Sequence, residues 1–271
     1  MIRRIEADGV ELAVLDEGSG PAVLLPHGFP DSHHVWRNQI PALVDAGFRV
    51  IAPDLRGFGD SEKPAEVDTY RIRHSLADML AILDALDVER VGVVGHDFGA
   101  GLAWVVAALA PDRVEKLAVM SVGHPNAQRD PTVEQREKSW YMLLFQFEGV
   151  AEQLLSRNDW KLARAWLRDN GDVDRYVSDL ARPGALTAAL NWYRANITPG
   201  RELEAPRDFP SVPAPTLGLW STGDDYLTEE PMLRSADHVT GGWRYERIDG
   251  ASHWLQLDVP QRINELLLEF L

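Results

Sequence analysis

Cysteine is absent from the 271 residues, which excludes disulfides, thiolate metal sites and a thiol nucleophile together. Basic residues are scarce: 27 Lys and Arg stand against 42 Asp and Glu, a net charge of −15. A field of that sign repels nucleic acid and anionic membrane alike, and no basic run interrupts it. No stretch approaches the ~18 uninterrupted apolar residues of a spanning helix. The opening MIRRIEADGV has no apolar core of the kind a secretion signal carries, so the expected location is the cytoplasm. No G-x-G-x-x-G lies at a strand–helix junction and no spacing of His and carboxylates reads as a metal site, so neither cofactor nor metal is expected. Internal repeats and low-complexity segments are also missing. What remains is an ordinary soluble globular chain, 45% hydrophobic and long enough to bury a full core. Its expected partner is a small molecule, and the sequence leaves a monomer and a homodimer both open.

The chain alternates. Residues 11–17 and AVLLPHG (22–28) read as strands, His34 to Ala46 as a helix, and FRVIAPD (48–54) as a strand. A Gly- and Pro-rich loop, LRGFGDSEKPAE, precedes a helix from Ser75 to Leu86. VGVVG (91–95) is a short apolar strand of the kind buried on both faces of a parallel sheet, followed by a helix over 99–111 and a strand over 114–122. From Pro125 to Arg207 the pattern turns helical and tryptophan-rich, and EAPRDFPSVPAPT (204–216) leads back to a strand at 216–220, a helix near 230–238, a strand at 243–248 and a closing helix. The expected fold class is α/β, a mostly parallel sheet flanked by helices. One core domain, 1–124 plus 208–271, is interrupted by a helical cap insertion, 125–207.

Within VVGHDFGAG (93–101), G-x-D-x-G follows a buried strand and opens a helix, the setting of a nucleophile elbow. Small residues at 95, 99 and 100 permit the tight turn. Asp97 alone would read as a helix N-cap. Chain order weighs against that, because an elbow nucleophile is followed by an acid and then a histidine. GDD (223–225) and GASHW (250–254) each follow a strand, where open α/β sheets place their sites. His253 is the expected base and Asp224 its orienting acid, with Asp225 competing for that role. HGFP (27–30) also follows a strand, and the backbone N–H groups of Phe29 and Phe98 are the expected oxyanion donors. His27 is expected to be structural, and His96 to point away from the site.

The elements HGFP, DLRGFGDS, GHDFG, GDD and GASHW together resemble the α/β-hydrolase superfamily, in particular its aspartate-nucleophile branch of epoxide hydrolases and haloalkane dehalogenases. Carboxylate reactivity fits that branch. An Asp of ordinary pKa ~3.9 is already ionised and needs no base to attack. Attack on an acyl carbon would give a high-energy anhydride, whereas attack on saturated carbon gives a simple ester. The substrate is therefore an alkylating agent, and His253 with Asp224 is left to drive water onto the Asp97 ester.

The leaving group decides the rest. An epoxide departs as a strongly basic alkoxide and needs a proton donor, which tyrosine suits. SWYMLLFQFEGVAE (139–152) and LNWYRANI (190–197) resemble lid segments of epoxide hydrolases, and the resemblance puts Tyr141 and Tyr193 on the epoxide oxygen. Trp140, Trp192, Phe145 and Pro30 are expected to line the substrate pocket. The resemblance has departures. Phe98 stands where both families usually have Trp, Phe29 offers no side-chain N–H to a halide, and the arginines of fluoroacetate dehalogenases are missing at Phe98 and Gly101. The expected activity is an epoxide hydrolase giving a vicinal diol. A haloalkane dehalogenase using Trp140 or Trp192 as halide donor is the alternative, and a non-catalytic small-molecule binder the third reading. Asp54 and Arg56 are expected to order the loop beside the site, and His33 and His34 to be solvated.

Overall fold

The computed structural model describes residues 1–168, 171–197, 200 and 208–271. Its strands are β1 (Ile2–Ala7), β2 (Val10–Gly18), β3 (Ala22–Leu24), β4 (Arg49–Pro53), β5 (Val91–His96), β6 (Val114–Met120), β7 (Thr216–Ser221) and β8 (Trp243–Ile248). They form one eight-stranded sheet in the order β1-β2-β4-β3-β5-β6-β7-β8. The first three of these pair antiparallel and the rest are parallel. β5 is apolar and buried along its whole length, as a central parallel strand with both faces covered must be. β1 was not expected from the sequence. It is an edge strand that buries only Ile5 and Ala7 and turns its charged residues to water, so its apolar signal is weak.

The helices of the sheet are α1 (Gln39–Asp45), α2 (Ile72–Ala85) and α3 (Phe98–Leu109), and later α9 (Glu230–Arg234), α10 (Leu255–Asp258) and α11 (Pro260–Phe270). α1 packs on α11, and α2 on α3 and β1. The helix expected over His34 to Ala46 is split into a 3-10 turn at His33–Trp36 and α1, with Pro41 in the first turn of α1, where its missing N–H is harmless. α3 is apolar on nearly all sides and almost wholly buried. Between β6 and β7 the described elements are helices only: α4 (Val133–Lys138), α5 (Trp140–Phe145), α6 (Val150–Leu167), α7 (Val173–Leu180) and α8 (Ala185–Asn196). The first residues of the expected proline-dense linker, 204–207, lie outside the described residues.

The chain leaves β3 for β4 on one side and then crosses to β5 on the other, so strand order reverses between β3 and β5. The carboxyl ends of those two strands open the crevice where α/β sheets bind ligands. His27–Pro30 follow one strand and Asp97 the other. The loop after β4 closes beside them on Asp54, whose Oδ1 accepts the His33 N–H at 2.8 Å and whose Oδ2 accepts the Asp60 N–H at 2.8 Å. His33, expected to be solvated, instead sets its Nδ1 2.7 Å from Asp54 Oδ1. Burial acts against that carboxylate's charge, but His33, His27 and the Asp60 amide hold its pKa at about 2.

Farther along this loop Arg56 and Asp78 form a two-pronged pair, Nε to Oδ2 at 2.7 Å and Nη2 to Oδ1 at 2.6 Å, with both side chains 1% exposed. Removing one member strands a buried charge. Asp78→Ala is therefore expected to cost about 3 kcal/mol of unfolding free energy in urea titrations. A loss below about 1 kcal/mol would show that water or Asp8, 3.5 Å from Arg56, takes over the pairing.

Candidate active site

Asp97 follows β5 directly, with backbone angles φ 52° and ψ −122°, a region that costs a non-glycine residue on the order of 1–3 kcal/mol. Three glycines make the turn possible. A Cβ on Gly95 would sit 2.3 Å from the Gly99 carbonyl oxygen, one on Gly99 2.0 Å from that of Pro26, and one on Gly28 2.4 Å from the Asp97 Cβ. The Asp97 side chain takes no capping bond from α3, so the N-cap alternative is not what the structure shows. Its Oδ1 accepts the Phe29 N–H at 2.8 Å, and its Oδ2 lies 3.5 Å from His253 Nε2.

The Phe29 amide is aimed by the peptide it belongs to. The Gly28 carbonyl on that peptide accepts the Asp31 N–H at 3.0 Å and lies 2.8 Å from His27 Nδ1. His27 Nε2 accepts the Leu55 N–H at 3.0 Å, which leaves Nδ1 as the protonated nitrogen donating to Gly28. Burial drives the pKa of this imidazole down to about 4, so it stays neutral and keeps that tautomer. The second expected donor, the Phe98 N–H, is the first amide of α3, one of those that a helix leaves without an internal partner.

His253 Nδ1 lies 2.8 Å from Asp224 Oδ2, while Asp224 Oδ1 accepts the Tyr226 and Leu227 amides at 2.8 and 2.9 Å. Asp225 turns away and accepts from Arg168 Nη1 at 2.8 Å. Burial alone would lower the pKa of His253, but the Asp224 and Asp97 carboxylates outweigh it and push it up to about 10. Despite their own burial, both carboxylates stay below their ordinary values, chiefly through His253. His96, expected to point away from the site, packs its ring 4.7 Å from that of His253, and its Nε2–H donates to the His253 carbonyl at 2.9 Å. Its pKa falls to about 3, mainly by burial, so it braces the His253 backbone as a neutral ring.

Tyr141 on α5 and Tyr193 on α8 are both buried, with ring centroids 6.0 Å apart in an edge-to-face arrangement. Burial first and the Asp97 charge with it keep both hydroxyls protonated far above the ordinary tyrosine range, joined by Asp224 at Tyr141 and by Tyr141 at Tyr193. Tyr193 packs 4.6 Å from Phe98 and 5.4 Å from Phe29. Phe145 is fully buried, 4.9 Å from Tyr193 and 5.8 Å from Phe29, and Pro30 is buried next to Phe29 in the chain.

The two tryptophans are placed differently from expectation. Trp140 is 48% exposed, with its ring 6.5 Å from that of Tyr141. Trp192 is buried, packs on Phe98 and Phe58, and spends its indole N–H on the Arg56 carbonyl at 2.9 Å. The Trp192 N–H is therefore already engaged, and nearly half of Trp140 lies in solvent. Trp166, not anticipated, stands in their place: its ring lies 4.6 Å from Tyr141, 5.5 Å from Phe145 and 5.9 Å from Phe29. Tyr226, also unforeseen, packs 5.1 Å from His253 and donates its hydroxyl to the Trp166 carbonyl at 3.0 Å. Among the described residues, no cluster of three His, Asp or Glu could hold a metal ion, and no helix is long and apolar enough to cross a membrane.

Residues 21–260 match the family model described as alpha/beta hydrolase fold. The chain is 36% identical to the AB hydrolase superfamily protein YfhM of Bacillus subtilis, covering 98% of this chain and 96% of that protein. It is 35% identical to epoxide hydrolase A of Mycobacterium tuberculosis over 99% of this chain and 96% of the relative. Among solved structures it is similar to a Bacillus megaterium epoxide hydrolase in complex with an inhibitor, with a TM-score of 0.90, 28% identity and 99% of each chain covered. Epoxide hydrolase A from Mycobacterium thermoresistibile gives a TM-score of 0.82 at 32% identity, covering 100% of this chain and 98% of that one.

The electrostatics of the buried charges can be checked directly. Taking away either carboxylate removes charge that favours the imidazolium. Asp97→Asn and Asp224→Asn are each expected to bring the His253 titration down from about 10 toward the ordinary imidazole range in NMR spectra, and Asp225→Asn to leave it in place. A downward move with Asp225→Asn as large as that with Asp224→Asn would contradict the pairing seen here.

Proposed function

Because this chain belongs to the α/β-hydrolase family and is one of its epoxide hydrolase-like members, we propose that it hydrolyses an epoxide in two steps through an ester on Asp97. The observation that carries the reading is the pair of buried phenols, packed among Phe29, Phe98 and Phe145 and kept protonated by burial and by the charge of the ionised Asp97. A carboxylate can alkylate itself on a strained ether only if the departing oxygen is met by acid, and Tyr141 and Tyr193 are that acid. The helices α4 to α8, which carry both phenols, act as a cap over the sheet.

The two carboxylate oxygens divide the work. Oδ1 is held by the Phe29 N–H, so Oδ2 is the atom that attacks an epoxide carbon. The carbon–oxygen bond of the ring breaks, and the released oxygen takes a proton from the phenol pair. Oδ1 is then the carbonyl oxygen of the ester, already on the donor that must hold it when it becomes an oxyanion, with Phe98 N–H as the second donor. Esterification also cancels the negative charge 3.5 Å from His253 Nε2. The imidazolium loses part of its support and sheds a proton, which restores the phenol. His253, now neutral and oriented by Asp224, takes a proton from water as the water oxygen attacks the Asp97 carboxyl carbon. Collapse of the tetrahedral species expels the diol oxygen, which takes the carboxyl proton, and the site returns to carboxylate, imidazolium and phenol.

A haloalkane substrate is disfavoured by the placement of the two tryptophans that might have served it. The reading is tested by incubating His253→Gln with a terminal or aryl epoxide. The peptide bearing Asp97 is expected to gain the mass of the substrate, and Asp97→Asn to gain none. Tyr141→Phe and Tyr193→Phe are each expected to slow ester formation by about 10²-fold or more, while bromoalkanes release no halide. Diol formation without any mass gain at Asp97 would sink the two-step scheme.

A further inference from the structure

The loop from β7 to α9 carries Asp224, yet much of what holds it comes from the other side of the site. Its Tyr226 and Leu227 amides fold back onto the Asp224 carboxylate. Three further backbone groups of the loop are met by α4. Lys138 Nζ donates to the Asp224 carbonyl at 2.6 Å. Gln135, almost fully buried, donates from Nε2 to the Tyr226 carbonyl at 2.9 Å, and its Oε1 accepts the Thr228 N–H at 2.8 Å and the Thr228 hydroxyl at 2.9 Å. The second Nε2–H goes to Ser139 Oγ at 2.8 Å. All four places that a carboxamide offers are thus filled. α4 itself is pinned at its start by Thr132, whose side chain accepts the Gln135 N–H. Ser139, at its end, opens α5, and Tyr141 follows two residues on.

We infer that Gln135, assisted by Lys138, is a positioning residue that clasps the Asp224 loop to the helix bearing Tyr141, so that one contact sets both the acid of the first step and the base-orienting carboxylate of the second. The inference rests on the two-step reading above. Neither side chain touches the reacting atoms, and nothing in their own chemistry takes part. Their effect is geometric: a buried amide with every bond made fixes the loop and the helix relative to each other, and a misplacement on the order of 1 Å in such a site costs up to ~10²-fold in rate. Lys138 is only partly buried and holds one carbonyl, so its share is the smaller.

Rapid-quench mass spectrometry of the Asp97 peptide measures ester formation and ester breakdown separately. Gln135→Met, which keeps the length and apolar bulk but none of the four bonds, is expected to slow both steps by roughly 10- to 100-fold. It is also expected to broaden or shift the downfield His253 Nδ1–H resonance, which a loss of stability alone does not move. Thr228→Val, which removes one bond and leaves the amide, is expected to give a smaller change in the same two rates, and serves where Gln135→Met does not fold. A folded Gln135→Met enzyme with both rates and the resonance unchanged, or with only its melting temperature lowered, overturns the inference. So does a Thr228→Val enzyme with wild-type rates where the Met variant is insoluble. The His253→Gln trap is the control: an ester there with unchanged Gln135→Met kinetics sinks the clasp alone, whereas no ester in any variant sinks the two-step reading first.

Discussion

The Asp97 backbone is the constraint from which the rest of the site follows. A carboxylate residue with φ 52° at the end of a buried strand is unfavourable in itself, and it persists only because Gly28, Gly95 and Gly99 leave space on three sides. The same close approach that forbids a Cβ on Gly28 brings the adjacent Phe29 amide to 2.8 Å from Oδ1. Strain at the turn and a donor at the carboxylate are therefore one geometric fact. The sheet supplies the rigidity: β3 and β5 are hydrogen-bonded neighbours, so the two loops leaving their ends cannot drift apart independently.

Around that turn the site is built from three charges, Asp224 and His253 buried and Asp97 partly so, with 16% of its side chain exposed. Asp97 and Asp224 sit on either side of His253, and each stays ionised because the imidazolium is there; the imidazolium persists because they are. Such a triad is coupled, and changing any one charge resets the other two. In the proposed two-step reaction, neutralising Asp97 as an ester would therefore also favour loss of the His253 proton. Polar neighbours that do not titrate in the working range, His27 and His96, carry the geometry: both are buried and neutral, with each tautomer fixed by a backbone group.

Much of the fold was legible because its signals are local. An apolar run of five or six residues between turn signals announces β5, and a helix with buried Met79, Ile82 and Leu83 announces α2. The approach of Asp97, His253 and Asp224 was legible because chain order and strand ends confine them to one edge of the sheet. Sequence alone could not separate Asp224 from Asp225, since the choice depends on which carboxylate the loop turns inward; Arg168, far along the chain, holds the other. The tryptophans illustrate a different limit. Trp140 and Trp192 each precede a phenol by one residue on a helix, and neighbours at i and i+1 point about 100° apart. If Tyr141 and Tyr193 face Asp97, their neighbours must face elsewhere: Trp140 toward solvent, Trp192 toward Arg56. Trp166 had no such marker, because its place beside Tyr141 comes from the packing of α6 and not from any spacing in the chain.

That helical rule also bears on the acid role proposed for the two phenols. On α8, Trp192 anchors the helix through its N–H to the loop after β4, and Asn196, four residues on, donates to the Tyr70 carbonyl and accepts the Ile72 N–H. Those contacts consume one face of the helix and fix its rotation. Tyr193, about 100° further round the helix, is then presented to Phe29 and Phe98, with Tyr141 as its neighbour. A hydroxyl bonded to a backbone carbonyl would have to break that bond before it could protonate a leaving oxygen. Two phenols packed side by side give the proposed reaction two candidate donors where one well-buried tyrosine would give a single one.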